Sequence, residues 1–273
     1  MKDKLLVYPY IVWMGLFIVV PIFLVLYFSL VTKGTSELTF TLEHFKRFLD
    51  PLYIGVLVHS INLAFISTVI CLVLGYPMAF IISKVSMRFR NVMVLFFVIP
   101  MWMNFLLRTY AWMTLLERNG LINKFLRFLH FPEVNIMYTS GAVILGMVYN
   151  FLPFMVLPIY SVLVKIDKNL IEAAQDLGAN EFKVFLKVIL PLSLPGVISG
   201  IIMVFMPAIT TFVISRLLGG GQFTLIGNLI EQQFLGVYDW NFGSAISIIM
   251  MLIILLSMVI LGKYSKEEGV GLW

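Results

Sequence analysis

The stretch Lys165–Gly196, KIDKNLIEAAQDLGANEFKVFLKVILPLSLPG, is the longest charged, helix-forming interruption in a chain that is otherwise mostly apolar. Asp167 is placed to cap a helix start and Gly178 to end that helix. Between them Leu170, Ile171, Ala174 and Leu177 recur at helical spacing, which predicts a short helix with one apolar face. Asn180 then caps a second helix carrying Phe182, Phe185, Leu186 and Ile189 on one face. Pro191 and Pro195 follow, and the chain re-enters a hydrophobic run. A helix, a glycine turn and a second helix between two apolar runs, with small residues and a charged surround, suit docking onto another protein.

Outward from this stretch, the 273 residues are 61% hydrophobic and only 12% charged, with a mean hydropathy of +1.01. Soluble domains carry about 25% charged residues, so this composition calls for lipid as the solvent. The formal net charge of +5 is spread over short loops and not gathered in a patch or tail, which leaves nucleic acid nothing to bind. Cys71 is the only cysteine and lies in an apolar run, so it reads as a small hydrophobe and no disulfide can form within the chain. His44, His59 and His130 are scattered without ligand spacing. There is no GxxxxGKS/T loop, no HExxH and no nucleophile elbow. The chain is therefore expected to hold no metal, no cofactor and no catalytic residue, and any ATP must be bound by another chain.

Six apolar runs, near 8–31, 57–83, 92–113, 140–164, 192–215 and 241–262, each meet the roughly 20 residues a bilayer core requires. The first follows Met-Lys-Asp-Lys without a small-residue cleavage site and reads as a retained span. The predicted fold class is an all-α membrane protein with six transmembrane helices. Residues 1–56 hold the first span and an external segment, 57–262 a membrane core with cytosolic helices at 165–191, and 263–273 a tail. With the N terminus inside, segments 1–7, 84–91, 165–191 and 263–273 hold 11 of the 19 basic residues. The compact Lys84–Arg90 turn is the clearest inside signal. That orientation puts both termini and the Lys165–Pro191 helices in the cytosol.

Among the outer segments, 32–56 carries Glu37, Glu43, His44, Lys46, Arg47 and Asp50. Residues 114–139 place Leu121, Ile122, Phe125, Leu126 and Leu129 at helical spacing, with Lys124 and Arg127 on another face. This is either an interfacial helix lying on lipid or a platform for an external partner. Residues 216–240 open on Gly219-Gly220-Gly221, read as a flexible hinge, and continue as a short amphipathic helix towards Asp239-Trp240. Pro77, Pro100, Pro153, Pro158 and Pro207, with Gly75 and Gly146, are candidate kinks.

Glu172-Ala173-Ala174, three residues, Gly178, nine residues, Val188, one residue and Leu190-Pro191 resemble the EAA loop of ABC importer permeases. Val188 stands where that family usually has Ile. Further segments are RTYAW at Arg108–Trp112, NGLIN at Asn119–Asn123, LGGG at Leu218–Gly221, LIGNLI at Leu225–Ile230 and DWNFG at Asp239–Gly243. In their order they resemble the spermidine/putrescine permeases of the PotB type from about Leu52 to Leu261, with Asn241 where relatives often have Pro. The resemblance implies the type I (MetI-like) importer fold in a bacterial inner membrane. It also implies a heteromeric assembly: a second homologous permease, a dimer of ATPase subunits carrying ATP and Mg, and an external polyamine-binding protein. In that setting Glu172, Ala173, Ala174, Gly178, Leu190 and Pro191 are the ATPase-coupling residues.

A polyamine is a flexible polycation, and aromatic faces attract ammonium groups without trapping them as a buried charge pair would. The apolar runs hold almost no carboxylate, so the expected path uses aromatics, amides and carboxylates at its mouth. Tyr110, Trp112, Tyr149, Asn150, Glu231 and Asp239 are the candidates, although interfacial belts and helix packing compete for each. Arg108 is expected to snorkel or pair with a carboxylate, and Asn62 and Asn104 to hydrogen-bond between spans. Two other readings stay open. One is an ABC permease for another solute, such as an anion or an iron complex. The other is a self-sufficient channel or ion-coupled carrier, against which the lack of intramembrane coupling carboxylates counts.

Overall fold

Lipid offers no hydrogen bonds, so a long apolar run must bond its own backbone, and a helix does so within one segment. The computed structural model describes residues 9–33 and 38–266. In chain order, α1 (Pro9–Leu30) leads into a hairpin of β1 (Val31–Lys33) and β2 (Leu38–Phe40), then a short α2 (Glu43–Phe48). There follow α3 (Pro51–Lys84), α4 (Met87–Trp102), α5 (Phe105–Leu116) and α6 (Leu121–Phe128). Next come α7 (Ser140–Leu163), α8 (Lys168–Asp176), α9 (Glu181–Thr210) and α10 (Val213–Leu218), and finally α11 (Ile226–Glu231) and α12 (Trp240–Lys266). Among the described residues α1, α3, α7, α9 and α12 are long and apolar enough to cross a membrane. A pair bent by 94°, Met87–Trp102 with Phe105–Phe128, makes a sixth if it is counted as one broken span. Lys2, Lys4 and the tail beyond Lys266 lie outside the described residues.

Two of the expected spans are corrected. The run 92–113 is not one straight helix, because Asn104 starts a new one. Its Oδ1 accepts from the amides of Leu106 at 2.8 Å and Leu107 at 3.4 Å, which caps α5 and separates it from α4. Asn104 therefore serves a helix end and not a bond between spans. The run 192–215 is shifted as well: α9 begins at Glu181 and stops at Thr210, and Thr211 and Phe212 part it from α10. Pro191 fails to interrupt α9 because a π-turn, Phe185–Ile189, ends two residues before it. The wider hydrogen-bonding of a π-turn accommodates both the missing donor and the proline ring. α1 repeats the arrangement, with a π-turn at Gly15–Val19 ahead of Pro21.

The described residues form two compact units, one of residues up to Val58 with Ile226–Leu256, the other of His59–Leu225 with residues from Ser257 on. In the first, Phe242 is fully buried, with Tyr53 edge-on at 4.9 Å and the Arg47 guanidinium 4.0 Å over its ring. Asn241 donates to the Phe28 carbonyl at 2.9 Å and to that of Val31, closing the end of α1. The hairpin, a strand pair that the all-α fold class did not include, pairs Val31 with Phe40 and Thr32 with Thr39.

In the second unit α7 and α9 form the closest crossing. A Cβ on Gly196 would stand 3.0 Å from the Pro158 carbonyl oxygen, and one on Gly200 3.2 Å from that of Met155. Two glycines four residues apart thus let the α9 backbone rest on α7, the close approach that drives helix association where lipid removes the hydrophobic difference. Gly75 makes room on α3 for the Met155 side chain, and the Tyr76 hydroxyl meets Ser193 Oγ at 2.8 Å between α3 and α9. Pro77, Pro153, Pro158 and Pro207 lie inside continuous helices. The glycine triplet is a packed turn and not a loose hinge. Gly220 has φ +60, and a Cβ there would lie 2.2 Å from the Tyr138 ring.

Gly200→Leu is expected to cost about 1–3 kcal/mol by overpacking this crossing. Gly262→Leu, where nothing lies within 4 Å, should stay within about 0.5 kcal/mol of the parent. Thermal melts of the purified protein in detergent compare the two.

Candidate coupling corner and translocation residues

Asp167 Oδ1 accepts from the Asn169 amide at 3.0 Å and opens α8. At the other end Gly178 takes φ +81, a left-handed conformation that favours glycine. Its N–H donates to the Gln175 carbonyl at 2.8 Å, and the Ala179 N–H donates to that of Ala174 at 3.1 Å. These paired bonds make a Schellman turn that satisfies the last carbonyls of α8. Asn180 Oδ1 accepts from the Lys183 amide at 2.9 Å and starts α9. Both caps and the glycine stop thus stand where their residue types predict. The second helix of the pair, however, is the first part of the span itself and not a separate cytosolic element.

The apolar residues of this corner divide. Phe185 lies edge-on to Tyr76 and Phe80, with ring centroids 5.9 and 5.4 Å away, and Ile189 is buried. Leu170, Leu177, Phe182 and Leu186 are exposed instead, Leu177 at 90%. Glu172 and Ala173 are exposed near them, while Ala174, Leu190 and Pro191 are half-buried. Exposed apolar residues within a charged segment offer a surface that suits contact with another protein. Beside α8 a cavity of about 620 Å³ opens between the ends of α3 and α7 and the start of α4, with Glu172 on its wall.

Of the path candidates, Trp112 and Tyr149 are brought together, edge-on with ring centroids 5.2 Å apart. Tyr110 is exposed on α5. Asn150 is buried on α7, its Nδ2 donating to the Gly146 carbonyl at 2.9 Å and its Oδ1 without a partner. In the other unit Glu231 is half-buried at the end of α11. Asp239 is engaged through both oxygens, one paired with Arg47 at 2.8 Å and the other accepting the Phe242 amide at 3.1 Å. Burial alone would lower the Arg47 pKa, but its hydrogen bonds, to Asp239 foremost, hold it above the usual value.

Arg108 does not behave as expected. It is buried, its Nε lacks a partner, and no carboxylate among the described residues lies within ion-pair distance. Asn62 is exposed on α3. Sequence reasoning overlooked Gly196 and Gly200, whose four-residue spacing was visible. It also gave no role to Asn241, whose carbonyl partners lie more than 200 residues away.

A predominantly helical, multi-span membrane protein with an exposed apolar corner is the class these features define. A family model described as "Binding-protein-dependent transport system inner membrane component" matches residues 71–266. The chain is 41% identical over 259 residues to the spermidine/putrescine transport system permease protein PotB of Escherichia coli (strain K12), covering 93% of this chain and 94% of that one. It is 40% identical over 262 residues to the protein of the same description in Haemophilus influenzae, covering 94% and 91%. A solved bacterial ABC transporter involved in the import of the acidic polysaccharide alginate superposes with a TM-score of 0.81 over 98% of both chains. At 17% identity that likeness is one of fold. The chain belongs to the binding-protein-dependent transport system inner membrane components, the permeases of ABC importers. It is a multi-pass transport subunit of the inner membrane, and ATP hydrolysis falls to a separate subunit.

Gly178→Ala has room for its methyl group, since nothing lies within 4 Å, but places an L-residue at φ +81. The expected cost is about 1 kcal/mol, confined to the turn. Hydrogen exchange should record roughly fivefold faster exchange of the Ala179 amide, with the amides of α7 unchanged.

Proposed function

We propose that this chain is one of two homologous permeases in an ATP-driven importer of polyamines, and that it forms part of their path. The observation that carries this cargo is the 41% identity along 93% of the chain to the spermidine/putrescine permease of Escherichia coli. An external polyamine-binding protein delivers the substrate. A dimer of ATPase subunits holds the ATP and Mg, and this chain holds neither.

In this mechanism the ATPase docks on the α8 corner. Glu172 makes the charged contact, Ala173 and Ala174 admit close approach, and Gly178 sets the turn. Closure of the ATPase dimer displaces α8, and the Schellman turn with the Asn180 cap passes that displacement to α9 without slack. At 30 residues α9 is one rod of about 45 Å. Tilting it moves α7 through the Gly196–Gly200 crossing, while Leu190 and Pro191, just after the π-turn, are where it can flex. Movement of this kind opens the path alternately to each side.

Along the path, Trp112 and Tyr149 offer ring faces to ammonium groups. Each exposed cation–π contact contributes about 0.5–1 kcal/mol, weak enough for release. Tyr110 and the unpartnered Oδ1 of Asn150 add acceptors in the same unit, and in the other unit the carboxylate of Glu231 is a separate candidate. Asp239 contributes negative charge that it shares with Arg47.

Uptake of labelled putrescine and spermidine by vesicles holding the full set of subunits tests the cargo, and absence of both overturns it. Glu172→Lys combined with Gly178→Asp should abolish ATPase co-purification and uptake at normal membrane levels. Survival of both would remove the coupling role. Trp112→Ala should lower uptake about fivefold at subsaturating polyamine, as loss of roughly 1 kcal/mol predicts.

A further inference from the structure

We infer that the cavity beside α8 binds the headgroup of an anionic phospholipid of the cytoplasmic leaflet. Its walls carry three cations, Lys84, Arg90 and Lys168, against one carboxylate, Glu172. None of the four forms an ion pair among the described residues. A recess of about 620 Å³ with this excess of positive charge concentrates anions.

Arg90 is already set in place for such a ligand. Its Nη2 donates to the Ser83 carbonyl at 2.7 Å and to the Val85 carbonyl at 3.3 Å, while its Nε is buried and has no acceptor. A buried guanidinium donor left unbonded calls for a partner, and a phosphate oxygen is the acceptor whose charge matches it. The Lys84 ammonium is likewise positioned, 4.4 Å above the Phe80 ring.

The position of the cavity selects lipid over a free anion. It lies where α3 and α7 end and α4 begins, at the polar boundary of three membrane helices, on the side that the Lys84–Arg90 turn marks as cytoplasmic. Basic pockets between spans on that face take phospholipid headgroups. Phe80, Met87 and Leu163 add apolar wall that inorganic phosphate would not use and a glycerol backbone would. Because α8 supplies Lys168 and Glu172 while α3 and α4 supply Lys84 and Arg90, an occupant bridges the docking corner to the α3–α4 turn. The inference rests on the membrane orientation and is independent of the cargo.

The full-length chain, reconstituted in nanodiscs and released for native mass spectrometry, is expected to retain phosphatidylglycerol in preference to phosphatidylcholine. Lys84→Gln, Lys168→Gln and Arg90→Gln should each lower phosphatidylglycerol occupancy about fivefold. Arg88→Gln, on the same turn but outside the cavity, should leave it unchanged. Arg90 also caps α3, so if Arg90→Gln fails to fold, the two lysine variants decide. An equal loss in Arg88→Gln, or no loss in either lysine variant, overturns the site. Displacement of the lipid by excess inorganic phosphate overturns its assignment to lipid. Each of these failures leaves the polyamine uptake result untouched.

Discussion

A backbone in lipid has only itself to bond with, and at several places where this chain departs from regular helix another group takes over the vacated hydrogen bonds. At the break between α4 and α5 the Asn104 side chain accepts two amides of the new helix. At the end of α1 the Asn241 carboxamide, from the start of α12, reaches the orphaned carbonyl of Phe28. Before Pro21 and Pro191 a π-turn absorbs the missing donor and the helix continues. Outside the spans the same requirement shapes the α8 corner, where the left-handed Gly178 lets the Gly178 and Ala179 amides close on the Gln175 and Ala174 carbonyls. These few residues thus set where the helices concerned begin, bend and end.

Once helices are formed, lipid gives them little hydrophobic incentive to choose one neighbour over another, and shape decides. The smallest residues mark the crossings. Gly196 and Gly200 admit α7 to α9, Gly75 admits Met155 to α3, and Gly146 admits the Leu218 and Ile214 side chains of α10. Polar contacts at these places are few and specific, such as Tyr76 with Ser193. At Gly196 and Gly200 main-chain atoms of α7 lie within 3.0–3.3 Å of where a Cβ would stand, so little space separates the two backbones. In the proposed mechanism the route from the α8 corner through α9 to α7 is therefore short.

Much of the coupling corner was legible in the sequence, because a helix cap is local chemistry. Asp167, Gly178 and Asn180 act on amides and carbonyls two to five residues away, and their types announce the act. The translocation residues were less legible. Trp112 and Tyr149 meet because α5 packs on α7, and Asp239 is engaged by Arg47, 192 residues earlier in the chain. Arg108 was expected at a polar surface or beside a carboxylate and is instead buried without one, which no local pattern encodes.

By itself the sequence determined that the chain lives in a membrane, roughly where its apolar runs lie, and that one charged segment forms a capped helix, a glycine turn and a second capped helix start. These follow from composition and from interactions within a few residues. Tertiary structure alone decided that the third run is broken, that α9 passes through Pro191 to include half of the presumed cytosolic pair, and which glycines carry the helix crossings. Each of those outcomes depends on how the backbone's hydrogen bonds and steric volume are met by groups the chain brings back from elsewhere, and an apolar run reads the same whichever way that is settled.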